Sequence, residues 1–118
     1  MQMALMKWAA YHPICRDHLI HIANERLCSI GEGVKLKALG VKSGVWDNFL
    51  SYPTKSFPGL WIELKVKDNK LSANQVRWGE LMQAAGYATA IVWDDWLKAK
   101  NIIESYLDDH FAMPQYGS

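Results

Sequence analysis

Long apolar runs are missing from this chain of 118 residues. None approaches the roughly 20 consecutive apolar residues that a membrane-spanning helix needs. Cysteine is scarce as well: Cys15 and Cys28 are too few for a disulfide framework, and no secretory signal pattern opens the chain. These absences point away from a membrane or secreted class and toward a cytoplasmic, reducing setting. Internal repeats, low-complexity tracts and linkers are also lacking, so one domain spanning residues 1–118 is the economical reading. Strong charge of one sign is absent too, because the formal net charge is +1.

What is present is an uneven distribution. Residues 26–80 hold nine Lys/Arg against five Asp/Glu, whereas residues 81–118 hold two against five. A basic middle suits a phosphate-bearing partner, and it equally suits an ordinary solvated surface of mixed charge. Half of the residues are hydrophobic, at 50%, enough for one compact core.

Periodicity supplies the elements. "ALMKWAAY" spaces Leu5, Trp8 and Ala9 for an amphipathic helix stopped by Pro13, and "HLIHIAN" reads as a short strand. "GVKLKALG" reads as one or two helical turns closed at Gly40 by a positive φ. "GVWDNFLSY" and "GLWIELKV" are strand-like runs separated by the proline-bearing loop "PTKSFP", and should form an antiparallel hairpin. Ser72 opens an S-x-x-Q capping box, predicting a helix over Ser72 to Ala85 with Gly86 at its end. "YATAIVW" is the next strand, and "DDWLKAKNIIESYLDDHF" a last amphipathic helix opened by acidic residues. The fold class is therefore α/β, a mixed central sheet flanked by helices.

Alternation along "GLWIELKVK" puts Leu60, Ile62, Leu64 and Val66 on one face and Trp61, Glu63, Lys65 and Lys67 on the other, one face core and the other charged. A hairpin centred on Lys55 sets Asp47 opposite Glu63, with Cβ atoms about 5 Å apart. Two carboxylates so placed repel unless a cation sits between them. Oxygen ligands favour Mg²⁺ or Mn²⁺, and Lys65 on the same face can orient or help deprotonate a water for attack on a phosphodiester. The constellation is D-x(15)-E-x-K. By itself, E-x-K on a strand is more often a solvent-facing pair of charges; the upstream aspartate, the following helix and the basic middle favour one site.

The ordered run "LKALGVKSGVWDNFL" and "GLWIELKVKDNKLSANQVRWGELMQAAGY" resembles the VRR-NUC family of the PD-(D/E)XK nuclease superfamily, whose pattern runs G-V-x-x-G-x-x-D, I-E-x-K, S-x-x-Q and then G-Y ahead of a strand. The resemblance covers roughly Asn24 to Trp93 and implies a restriction-endonuclease-like core. It implies a Mg²⁺- or Mn²⁺-dependent endonuclease with Asp47, Glu63 and the Leu64 backbone carbonyl as metal ligands. Lys65 would be the catalytic lysine, with Gln75 as the helix glutamine facing the site. "IANER" is similar to the family's N-x-x-R segment, which would bring Asn24 and Arg26 to DNA. Free-standing members imply a homodimer acting on branched DNA such as four-way (Holliday) junctions. Where the family usually has proline before the aspartate, Trp46 stands here, which implies altered packing. A glutamate that often precedes a glutamine like Gln2 is not found in this sequence. That absence keeps open a DNA-binding accessory protein with an incomplete metal site; a nuclease acting on RNA is a further alternative.

Other residues have plainer readings. Gln75 at the third helical position can simply return a hydrogen bond to Ser72. Lys35, Lys37, Lys42 and Arg77 can grip phosphates, though each alone is more often a surface cation. Cys15, His18, His21 and Cys28 match no common zinc spacing and read as strand or core residues. Trp93, Trp96, Tyr106 and Phe111 are more than a small core is expected to bury, which raises a self-association surface as an expectation.

Overall fold

A computed structural model of the chain describes residues 1–23 and 30–113. In chain order the elements are α1 (Gln2–Ala9), α2 (Cys15–His18), β1 (Leu19–His21), α3 (Ile30–Ala38), β2 (Asn48–Leu50), β3 (Leu60–Lys65), α4 (Ala73–Ala84), β4 (Ala88–Trp93) and α5 (Trp96–Leu107). The strands form one sheet in the order β1-β2-β3-β4. The first two pairings are antiparallel, and β3 pairs with β4 in parallel across the α4 connection. The sheet is mixed and flanked by helices, as the pattern of elements implied.

The hairpin register is the predicted one. Asn48 pairs with Ile62, Phe49 with Trp61 and Leu50 with Leu60, so continuing the ladder by one residue sets Asp47 against Glu63. β2 is shorter than the sequence run suggested, and Asp47 lies just before its first residue. α1 ends at Ala9, ahead of Pro13, because the chain turns there and then makes α2, a single helical turn the sequence reading did not anticipate. The His12 imidazole explains that turn: its Nδ1 accepts from the backbone N–H groups of Ile14 and Cys15, both at 3.1 Å. Gly40 and Gly86 both hold positive φ, at 91° and 96°, where helix ends were placed.

The core lies between the sheet and the α1/α5 layer. Leu5, Leu50, Leu60, Ile62, Ala90, Ile103 and Tyr106 are buried there together. This places α5 inside the fold's own core. Tyr106 is fully buried, and Trp96, Leu107 and Phe111 pack against the same cluster. The expectation that these residues form a surplus apolar surface is therefore corrected: the small side chains Ala88, Ala90 and Ala99 leave room for them. Trp93 is the exception and stays exposed. Cys15 is buried as well, and burial pushes its thiol up to about 11. His18 faces the Ser51 carbonyl, with Nδ1 at 3.1 Å. Cys15 is therefore a core residue, His18 is a half-buried residue of α2 rather than of a strand, and Cys28 lies outside the described residues.

The division of β3 into a core face and a charged face also needs correction. Leu60, Trp61, Ile62 and Glu63 are all buried. α4 covers the second face, where Trp61 meets Trp78 edge to face at 5.2 Å and Phe49 at 4.4 Å. Only the end of the strand, from Leu64 onward, opens toward solvent. A strand paired on both sides and covered on both faces can still carry charge, provided that charge is bonded.

Candidate active site

Glu63 is the buried charge. Its relative exposure is 0%, a placement a carboxylate tolerates only with close partners. Three donors surround it. The Asp47 backbone N–H donates to Oε1 at 2.9 Å, the Gln75 amide Nε2 donates to Oε2 at 2.8 Å, and Lys65 Nζ lies 3.6 Å from Oε2. β2 supplies the first through the hairpin register, α4 the second and β3 itself the third. Strand alternation keeps Lys65 on the face of Glu63, and its side chain is largely buried, with 15% exposed.

Gln75 reaches this cluster because of how α4 begins. Ser72 is the N-cap: its hydroxyl accepts from Gln75 N at 3.1 Å, and Gln75 Oε1 accepts from Ser72 N at 2.9 Å. The glutamine thus spends its oxygen on the capping box and its amino group on Glu63. The helix-cap reading holds, and the same side chain also meets Glu63.

Trp46 fixes the same end of α4 from below. It is buried, and its indole N–H donates to the Gln75 carbonyl at 2.8 Å. The ring also lies so close to the helix that a Cβ on Gly79 would stand 2.6 Å from its Cζ2. A tryptophan directly before Asp47 therefore changes packing and adds an anchor for α4. A second contact ties the turn before β2 to α4. Gly44 (φ 86°) leaves no room for a side chain, since a Cβ would fall 2.5 Å from the Asn74 carbonyl carbon, and Asn74 donates to the Ser43 hydroxyl at 3.0 Å. The sequence reading missed Gly79, Ser43 and Asn74. A glycine interrupting "QVRWGEL" was the available signal, because an interior helix glycine often marks a close approach.

The predicted residues are thus distributed unevenly. Glu63, Lys65, Gln75 and the Asp47 backbone N–H meet at one place, and the Leu64 carbonyl belongs to the strand between the two charged side chains. The Leu64 side chain points the other way and packs against the core. Lys42 is exposed in the turn beside Ser43, and Arg77 is exposed on α4 two residues beyond Gln75, about 200° round the helix from it. Lys35 and Lys37 are exposed on the last turn of α3, and no hydrogen bond or ion pair found among the described residues ties them to the cluster. Asn24 and Arg26 lie outside the described residues. His21, read from the sequence as a strand or core residue, is an exposed residue of β1 that turns its Nδ1 to the Asp47 carbonyl at 3.0 Å.

As a cation site, the cluster offers oxygen. Among the described residues no three His, Cys, Asp or Glu side chains converge as a metal site. The Glu63 carboxylate lies there, and Asp47 and the Leu64 carbonyl are the further oxygen donors the sequence named, a set that would suit Mg²⁺ or Mn²⁺, which keep several waters and take one or two carboxylates from a protein. Both Glu63 oxygens accept hydrogen bonds, Oε1 from the Asp47 backbone and Oε2 from Gln75.

No protein-family model and no curated protein matches the sequence. The fold does find a counterpart. A solved structure described as "VRR_NUC domain protein" superposes with a TM-score of 0.77, covering 96% of this chain and 93% of that one at 20% identity. The chain has the fold of that domain, as the ordered motifs implied. No helix among the described residues is long and apolar enough to cross a membrane.

Proposed function

We propose that the protein is a metal-dependent endonuclease of the VRR-NUC type that hydrolyses phosphodiester bonds in DNA. The observation that carries this reading is the buried Glu63 carboxylate held between Asp47, Gln75 and Lys65 at the end of β3. A carboxylate that served only the fold would be expected to face water or to be replaced by an apolar residue, since burying it is costly. The VRR_NUC likeness of the whole fold supports the same conclusion.

In this reading Asp47, Glu63 and the Leu64 carbonyl hold Mg²⁺ or Mn²⁺. When bound, the cation supplies positive charge to the phosphate oxygens and acidifies water. Lys65 contributes a fixed positive charge beside the attacked phosphate and orients the attacking water. Gln75 holds the Glu63 carboxylate in one rotamer through its amide, and α4 holds Gln75 through the cap. Lys42 and Arg77 would receive neighbouring phosphates, with Lys35 and Lys37 extending the basic surface. The protein acts in this reading as a cytoplasmic homodimer on branched DNA, because two symmetric cuts need two identical sites.

The test is cleavage by purified protein of duplex, flap, four-way junction and RNA substrates in Mg²⁺, Mn²⁺ and EDTA. Metal-dependent cutting of DNA, strongest on branched forms, is expected. Cutting in EDTA would remove the metal, and cutting of RNA alone would remove the DNA assignment. Binding to DNA without any cutting would favour the accessory-protein reading. Light scattering at micromolar concentration measures the dimer independently.

A further inference from the structure

Five of the six tryptophans are buried or half-buried; Trp93 is the one counted as exposed, at 38%. It ends β4 and is the register partner of Lys65 across the parallel β3/β4 pair. Side chains of such partners leave the sheet on the same face, so the indole stands beside the lysine of the candidate site. The same face meets α4 two repeats earlier, where Thr89 receives the Gln83 amide at 2.8 Å.

The ring is held rather than loose. Its N–H donates to the Asn69 carbonyl at 2.9 Å, in the loop that leaves β3. The same loop is pinned to the residue after Trp93: Asp94 N donates to the Lys65 carbonyl at 2.9 Å, and Lys67 N donates to Asp94 Oδ1 at 2.6 Å. Asp94 adopts φ 66° to make both bonds. With its polar edge occupied, Trp93 still leaves 38% of its surface to solvent.

Charge decides what that surface can receive. Asp94 and Asp95 follow Trp93 directly, and their carboxylates are committed to backbone N–H groups of Lys67 and Leu97. Phosphate is repelled from such a neighbourhood, whereas an uncharged base is not. Lys65 lies on one side and Lys67 and Lys70 project from the loop, so cationic groups for the backbone stand nearby. We propose that Trp93 is a stacking platform for an unpaired nucleobase next to the phosphate that Lys65 faces. The site then prefers a strand with unpaired bases, as at a flap or gap, over continuous duplex. This inference rests on the nuclease reading and specifies its substrate.

The experiment compares wild type, Trp93→Ala and Trp93→Phe. Affinity for a labelled single-stranded oligonucleotide is read by anisotropy in EDTA, and kcat/KM is read on flap and duplex in Mn²⁺. Base stacking on an aromatic ring corresponds to about tenfold in affinity. Trp93→Ala should therefore bind the oligonucleotide about tenfold more weakly and lose most of the flap-over-duplex ratio. Trp93→Phe, which keeps a ring but lacks the N–H, should retain most of both. If the alanine variant does not fold, Trp93→Leu takes its place. Equal loss in the phenylalanine and alanine variants would assign the effect to the loop anchor and overturn the platform. So would a wild type that prefers continuous duplex, or an alanine variant that matches wild type while cutting stays dependent on Lys65. A wild type that neither binds nor cuts nucleic acid would remove the nuclease reading and the platform with it.

Discussion

The side chain of Gln75 links the cap of a helix to the buried carboxylate of Glu63: Oε1 accepts from Ser72 N and Nε2 donates to Glu63 Oε2 at 2.8 Å. Each half of the amide has a separate task, so a substitution can remove one and keep the other.

Gln75→Glu does so. The new carboxylate still accepts from Ser72 N and suits a helix N-terminus, but it replaces a donor to Glu63 with a like charge. Cleavage should fall at least about tenfold. Mutual repulsion raises the pKa of one carboxylate, so the variant's stability should be lost as pH rises through that value and recover below it. Melting temperatures measured across pH check the sign, since a flat profile would mean that the two carboxylates do not meet. Gln75→Ala removes both tasks and should cost about 2 kcal/mol at neutral pH.

Gly79→Ala should destabilise the fold by about 1–3 kcal/mol, because the new methyl meets the Trp46 ring. Trp46→Leu in the same chain should recover part of that loss, giving a coupling energy above about 0.5 kcal/mol in a double-mutant cycle. Additive losses would mean that helix and ring are not in contact.

Tyr106→Phe isolates a bond in the core. The phenol donates to the Tyr52 carbonyl at 2.7 Å, and the ring keeps its contacts with Phe57 and Phe111 when the hydroxyl is removed. The cost should be about 1 kcal/mol in urea denaturation. Burial raises the hydroxyl's pKa above its ordinary value. The stability this bond contributes is therefore complete below about pH 10 and is lost as pH rises beyond it.

Much of this architecture was legible because local signals and global fold agree. The S-x-x-Q cap, the glycines closing α3 and α4, and the alternation in "LWIELK" each name an element, and the two prolines of "PTKSFP" centre the hairpin, which brings Asp47 to Glu63. What remained hidden depends on contacts distant in sequence. Periodicity gives Glu63 a face but cannot tell that α4 covers that face, so a buried carboxylate reads as a solvent-facing one. The aromatic residues of α5 exceed a small core by composition alone, and only the alanines opposite them reveal the space.

The most direct test of the central claim is the rate at which Lys65→Met cuts the best wild-type substrate in Mn²⁺, with melting temperature measured on the same sample. Methionine keeps the apolar stem but removes the cation beside buried Glu63, so the protein should fold with a loss of up to about 3 kcal/mol, while cleavage should fall at least about a hundredfold. Glu63→Gln, which preserves shape, should lose cleavage likewise. Full activity in a folded Lys65→Met protein would contradict the account.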